Sequence, residues 1–196
     1  MNMKKIISFF IVACCAMCAT AAKVVWQIGV ADNSGTELAL GPSEYKKFLA
    51  HDFGYEDRYF LVGTSVDKND FPYVLPGPDD TWGGTWSTSG WRTHDANILF
   101  GIKKLPKHGK WKLVVDLVDA NPSRSVVKVM VNSAEKKFEI KGHSKGVLEG
   151  NLQDAKEQIL EFPISANDLK KGGNMVTVSV LEGGWIVFDQ IRLEGA

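Results

Sequence analysis

The chain has 196 residues with 23 basic and 23 acidic side chains, so its formal net charge is zero. It therefore has no basic excess that would attract nucleic acid or an anionic membrane. All three cysteines, Cys14, Cys15 and Cys18, lie near the N-terminus, so the rest of the chain is expected to fold without disulfides.

Residues 1–22 are predicted to be a secretion signal rather than part of the fold. Lys4 and Lys5 give the segment a positive start, and residues 6–13 form an uncharged apolar run that is too short to span a bilayer. Ala19-Thr20-Ala21 then supplies the small-x-small pattern that signal peptidase accepts. This arrangement predicts export to the periplasm, the cell surface or the medium.

The remainder, residues 23–196, falls within the usual size range of one domain and contains no repeat and no linker-like composition. It has no long apolar run, so no membrane span is expected. An alternative for the N-terminus is a lipoprotein signal, because the residues before Cys14 resemble a lipobox. Lipid attachment at Cys14 would hold the domain at the cell surface.

Three elements are predicted in the first part of the domain. Residues 24–30 are rich in β-branched side chains and are typical of a strand. Residues 42–49 place apolar side chains at helical spacing, which predicts a short helix. Residues 59–62 are expected to form another short strand.

The segment from residue 63 to residue 97 has little periodicity and several proline or glycine breaks. Loops of this length in a compact domain are usually functional or disordered. This one contains five large aromatic side chains, too many for a disordered segment: Phe71, Tyr73, Trp82, Trp86 and Trp91. We therefore predict a long, ordered, aromatic-rich loop that crosses the surface.

From residue 98 onward, short β-branched or alternating segments follow one another with glycine, proline and asparagine between them. The predicted strands are residues 98–102, 111–118, 126–131, 138–140, 158–164, 175–181 and 185–193. Many short strands with a single short helix predict an all-β sandwich.

The C-terminal stretch, residues 162–195, resembles the closing hairpin of carbohydrate-binding β-sandwiches, above all the C-terminal domain of family 4 polysaccharide lyases (rhamnogalacturonan lyases). Its two strands are joined by Glu182-Gly183-Gly184. The opening Trp26-Gln27-Ile28-Gly29 and the segments 111–117 and 127–132 are similar to the opening strand and the paired core strands of that domain. The resemblance implies a jelly-roll fold related to galactose-binding-like modules.

The same resemblance implies recognition rather than catalysis. In these lyases, basic residues on a separate domain abstract the proton beside the uronate carboxylate, and that domain has no counterpart in this sequence. No catalytic residue is therefore assigned to any position. The expected function is binding of an acidic polysaccharide, of plant or host type, in support of its capture or breakdown.

The predicted ligand-binding residues lie in the long loop: Asp80, Trp82, Trp86, Trp91, Arg92 and His94. Flat aromatic rings stack on the apolar C–H faces of sugars, and neighbouring polar groups bind the hydroxyls. The planar guanidinium of Arg92 also suits a uronate carboxylate. The alternative is that the tryptophans hold the loop against the sandwich, because large aromatic rings bury much area.

A structural Ca²⁺ is a further expectation from the resemblance, because an acidic residue near the position of Asp189 helps to hold one in related sandwiches. Asp32, Asn33 and Glu37 are candidates for the other ligands.

Two other functions remain as alternatives. One is a small glycan-active enzyme, such as a lyase, that uses Arg58 and His94. The other is an accessory that docks a protein partner in a surface glycan-utilisation complex.

Overall fold

The computed structural model describes residues 23–42, 44, 47, 57–80, 94–105 and 110–195. The strands are β1 (Lys23–Gly29), β2 (Arg58–Leu61), β3 (Val74–Leu75), β4 (Asp95–Ile102), β5 (Trp111–Ala120), β6 (Arg124–Val131), β7 (Ala134–Lys141), β8 (Gln158–Ile164), β9 (Gly172–Glu182) and β10 (Ile186–Gly195). Helical structure in these residues is limited to a short α-helix, α1 (Asp67–Asp70), and to 3₁₀ segments that include Lys145–Glu149 and Ala166–Asp168.

The strands form two sheets. The first sheet has the order β1-β10-β5-β8, with β3 also paired to β10, and the second has the order β2-β4-β9-β6-β7. The β2–β4 pair is parallel, whereas the other pairs are antiparallel. From β4 to β10 the chain crosses repeatedly from one sheet to the other. The predicted all-β, jelly-roll sandwich is confirmed.

The core lies between the sheets and follows the period-two pattern of the strands. On β9, Val176, Val178 and Val180 are fully buried. Phe71 packs edge-on against Phe188, with ring centroids 5.2 Å apart. Burying each such side chain contributes about 1.5–3 kcal/mol to stability.

The expected closing hairpin is wrong, because β9 and β10 lie in different sheets. Both are central strands: β9 pairs with β4 and β6, and β10 pairs with β1 and β5. The glycine segment between them crosses the sandwich instead of closing a hairpin. Gly183 has φ +81, and a Cβ there would lie 2.3 Å from the Arg124 carbonyl oxygen, so the crossing requires glycine.

The second expected pairing, between residues 111–117 and 127–132, is also wrong. These segments form β5 and β6, which belong to opposite sheets. β6 instead forms a hairpin with β7, closed by a turn at Asn132, where φ is +54. Asparagine tolerates this left-handed conformation better than most residues do.

The segment 63–97 is only partly a loop. Residues 67–70 form α1, residues 74–75 form β3, and β4 begins at Asp95, three residues before the predicted start. Phe71 and Tyr73 are core residues rather than surface aromatics. The helix predicted over residues 42–49 lies mostly outside the described residues; positions 42, 44 and 47 have 3₁₀ conformation.

Strand β8 forms one edge of the first sheet, opposite β1, and β7 forms one edge of the second sheet, opposite β2. Pro163 is exposed in β8, opposite Lys112 of β5. In β7 the exposed residues are charged: Glu135, Lys136, Lys137, Glu139 and Lys141. No helix among the described residues is long and apolar enough to cross a membrane.

Candidate functional site

Asp189 lies where β10 bulges out of register with β5. Its side chain is fully buried, and Oδ1 accepts hydrogen bonds from the Ser34 amide at 3.0 Å and the Asp32 amide at 3.4 Å. The Asp189 carboxylate therefore lies against the loop that follows β1. It binds that loop through the loop's backbone amides.

Three carboxylates meet at this loop. One oxygen each of Asp32, Glu37 and Asp189 lies within 4.8 Å of the others. Burial, and secondarily the charge of Asp32, raises the pKa of Glu37 and of Asp189. This direction is the one expected for carboxylates that are partly removed from water and lie beside other carboxylates.

The donor set fits a hard cation. Among the described residues, the buried oxygens Asn33 Oδ1 and Asp189 Oδ2 have no hydrogen-bond partner. Carboxylate and amide oxygens are the ligands that Ca²⁺ prefers. The structure therefore brings Asp189 together with Asp32 and Glu37, two of the three other ligands suggested from the sequence. The third is Asn33, whose side-chain oxygen has no hydrogen-bond partner among the described residues.

A second acidic group adjoins the first and was missed in the sequence. Asp116 on β5 and Glu157 share Asp189 as a neighbour, again with oxygens within 4.8 Å. Burial, followed by the charges of Asp189 and Glu157, raises the pKa of Asp116 to about 6. The available signal was an aspartate in the middle of an otherwise apolar strand, Val114-Val115-Asp116-Leu117.

The predicted sugar-binding loop is described only at its borders, since Trp82, Trp86, Trp91 and Arg92 lie outside the described residues. Asp80, at one border, is 8% exposed, and its Oδ2 accepts a 2.9 Å hydrogen bond from the Gly77 amide. Burial raises the pKa of Asp80 to about 6. These contacts favour a structural role for Asp80 over contact with a ligand.

His94, at the other border, is 1% exposed. Its Nδ1 lies 3.8 Å from Asp57 Oδ1, which also accepts a hydrogen bond from the Asp95 amide at 3.0 Å. These contacts tie the start of β4 to the residue before β2. The burial of His94 favours a structural role for this residue as well. Its role in ligand binding stays a prediction.

Most of the domain matches a known protein family. The family model for domain III of polysaccharide lyase family 4, described as CBM-like, matches residues 24–193. The chain belongs to this family. The resemblance to this family, which was based on residues at both ends and in the second half of the domain, is confirmed.

A curated relative of this domain III chain is the rhamnogalacturonate lyase of Dickeya dadantii (strain 3937), 24% identical over 183 residues. The match covers 88% of this chain but only 28% of the lyase. Membership of a family described as CBM-like supports a carbohydrate-binding role for the chain.

Two solved structures are also similar to the domain III chain. A family 35 carbohydrate-binding module from an environmental isolate is 12% identical with a TM-score of 0.35, covering 89% of this chain and 88% of its own. The CBM35 from Cellvibrio japonicus Abf62 is also 12% identical, with a TM-score of 0.34, covering 51% of this chain and 64% of its own.

Proposed function

We propose that the chain is a secreted, non-catalytic recognition domain that binds an acidic polysaccharide and supports its degradation. The observation that carries this proposal is the match to a CBM-like family over residues 24–193. The leader-like residues 1–22 support export. The non-catalytic role is supported by the family resemblance, in which bond cleavage belongs to a different domain.

The test is calorimetric titration of the purified chain with polygalacturonate, with its methyl-esterified form and with a neutral galactan. We expect binding to the charged polymer without release of unsaturated products, which ultraviolet absorbance would detect. Binding with cleavage would contradict the non-catalytic role. Absence of binding to every glycan would overturn the recognition role and favour the protein-docking alternative.

The sugar contacts proposed in the loop can be tested separately. Replacing Trp82, Trp86 or Trp91 by Ala should weaken binding, because each ring would lose its stacking contact with a sugar. The matched control is Phe at the same position, which keeps a ring and should retain most of the affinity. Unchanged affinity in all three alanine variants would contradict this contact surface.

We also propose that Asp32, Glu37 and Asp189 bind one Ca²⁺ as a structural ion. Bound there, the ion would neutralise the buried Asp189 carboxylate, which is removed from water, together with its two more exposed neighbours. Titration of the EDTA-treated chain with Ca²⁺ should show one saturable site, and Asp189→Asn should weaken it strongly. If the wild-type chain gives no saturable heat, the proposal fails.

A further inference from the structure

An apolar row crosses the outer face of the second sheet. The register places Leu61 of β2 beside Leu99 of β4, and Leu99 beside Met175 of β9. Leu61 and Met175 are exposed, so the row places neighbouring apolar side chains together on the surface, and contiguous exposed apolar patches often mark binding sites. Tyr59, two residues before Leu61 on the same face, is 64% exposed and presents an aromatic ring beside this row.

Next to this apolar row, two paired positions of the sheet are glycines and therefore carry no side chain. Gly101 of β4 pairs with Gly173 of β9, and a Cβ on either would have no atom within 4 Å. Glycine weakens a strand, so two facing glycines in open space suggest that something approaches the backbone closely. The groove that they leave has a volume of 420 Å³, within the ~300–1,000 Å³ range of ligand sites.

The groove continues past Gly101 into a second depression of 560 Å³, bordered by Lys103 and Lys171. Both lysines are exposed, and neither forms an ion pair with a carboxylate of the described residues. Lys104 and Lys170, their sequence neighbours, are exposed as well. Among the described residues, this end of the groove therefore carries positive charge that no carboxylate ion pair offsets.

The lysine-bearing turn before β9 is held in place by two asparagines. Asn174 Oδ1 accepts from the Lys170 amide at 2.8 Å, and its Nδ2 donates to the Gly172 carbonyl at 3.0 Å. Asn132 Nδ2 donates to Asn174 Oδ1 at 2.9 Å. Because these amides hold the turn, the groove is preformed, and binding would require little ordering of the backbone.

We propose that this groove binds a stretch of an anionic glycan whose acidic groups are uronate carboxylates. The apolar row and the Tyr59 ring contact the C–H faces of the sugars, and the paired glycines let the chain lie close to the sheet. Lys103 and Lys171 pair with the carboxylates. The charge of these two lysines favours this occupant over a neutral glycan, and the glycan itself rests on the function proposed above.

Filling the groove tests its position. Gly101→Val and Gly173→Val each place a branched side chain into open space at a backbone conformation that valine adopts readily in strands. We expect each to lower polygalacturonate affinity by about tenfold or more, while the melting temperature stays equal or rises. Alanine at the same positions fills less space and should cause a smaller loss.

Removing the charge tests the ligand class. The double variant Lys103→Ala/Lys171→Ala should weaken polygalacturonate binding by about fivefold and make it less sensitive to salt. The matched control is Lys137→Ala/Lys141→Ala, which removes two exposed lysines from edge strand β7 and should leave affinity unchanged. The methyl-esterified polymer should bind wild type about as weakly as the acidic polymer binds the Lys103/Lys171 variant.

The outcomes separate this site from the general function. If wild type binds polygalacturonate but the valine and lysine variants bind equally well, the groove proposal is overturned while carbohydrate recognition stands. Competition by poly-glutamate as strong as that by oligogalacturonate would replace the glycan by an acidic peptide and overturn the proposal. If wild type binds no glycan, both proposals fail together.

Discussion

The acidic site around Asp189 and the groove around Gly101 and Gly173 show two opposite ways of placing charge on one sandwich. At this acidic site, the fully buried Asp189 carboxylate accepts hydrogen bonds from backbone amides and lies close to the half-buried Glu37 and the exposed Asp32. At the groove, lysines are exposed beside bare backbone with open space in front of it. The first arrangement suits a small ion that enters between fixed oxygens, and the second suits an extended ligand that lies on a surface.

The contrast also separates stability from affinity. A buried charge without a partner weakens the fold until something neutralises it, so the acidic site should control stability. An exposed lysine is solvated in the free protein and costs the fold little, so the groove should control binding. Substitutions in the two regions should therefore have effects on different measurements.

The largest expected effect is stabilisation by Ca²⁺. At a free concentration about 100 times its dissociation constant, the ion should raise the free energy of unfolding by about 2.7 kcal/mol. Urea unfolding with Ca²⁺ or with EDTA measures this difference. Gly173→Val should keep the full response, whereas Asp189→Asn should lose most of it. Equal stabilisation of both variants by Ca²⁺ would contradict the assignment of stability to the acidic site and of affinity to the groove.

A smaller effect is expected from Asp116→Asn in the metal-free chain. Folding raises the pKa of Asp116 from 3.8 to about 6, so folding favours the protonated form. The resulting destabilisation is absent below about pH 4, grows as the pH rises, and is complete above about pH 6. The variant should be more stable than wild type by about 1–2 kcal/mol at about pH 7.5 and equal to it at about pH 4.

Urea unfolding in EDTA at the two pH values checks this prediction. The control is Glu161→Gln, which changes an exposed carboxylate on β8 and should shift stability little at either pH. A gain that is the same at both pH values would argue against titration of Asp116 as its cause.

The smallest effect is expected for Gly101→Ala. Gly101→Ala should leave stability unchanged or raise it by about 0.4–1 kcal/mol, because alanine restricts the unfolded chain and meets no atom in the fold. Gly183→Ala should instead destabilise, because φ is +81 and the added Cβ would clash with the Arg124 carbonyl. Thermal melts of the two variants measure the difference; destabilisation by Gly101→Ala would show that its groove is not open.

Local pattern is enough to find most strands but not their partners. The prediction for residues 158–164 has the same bounds as β8, because alternation along that segment matches its burial. The prediction for β4 is three residues short, because Asp95-Ala96-Asn97 lacks the side chains typical of strands. The missed crossing at Gly183-Gly184 had a signal: β10 is apolar on successive residues, as expected of a central strand with both faces covered.

The two sites differ in how far the sequence points to them. Asp189 stands out because a charged residue in an apolar strand is conspicuous and the family resemblance gives it a role. Glu157 was missed because it approaches Asp189 only through the pairing of β8 with β5 and of β5 with β10. The groove is defined by absent side chains, and only the β4–β9 register shows that Gly101 and Gly173 face each other.

The residues at two sheet edges affect whether neighbouring copies of the domain can pair their strands at high concentration. A polymer with many repeats of one ligand would gather copies side by side at high local concentration. Pro163 on β8 has no amide hydrogen to donate to a neighbouring strand, and the exposed charged side chains along β7 disfavour pairing with another strand. These two edges are therefore poorly suited to joining the sheets of neighbouring copies.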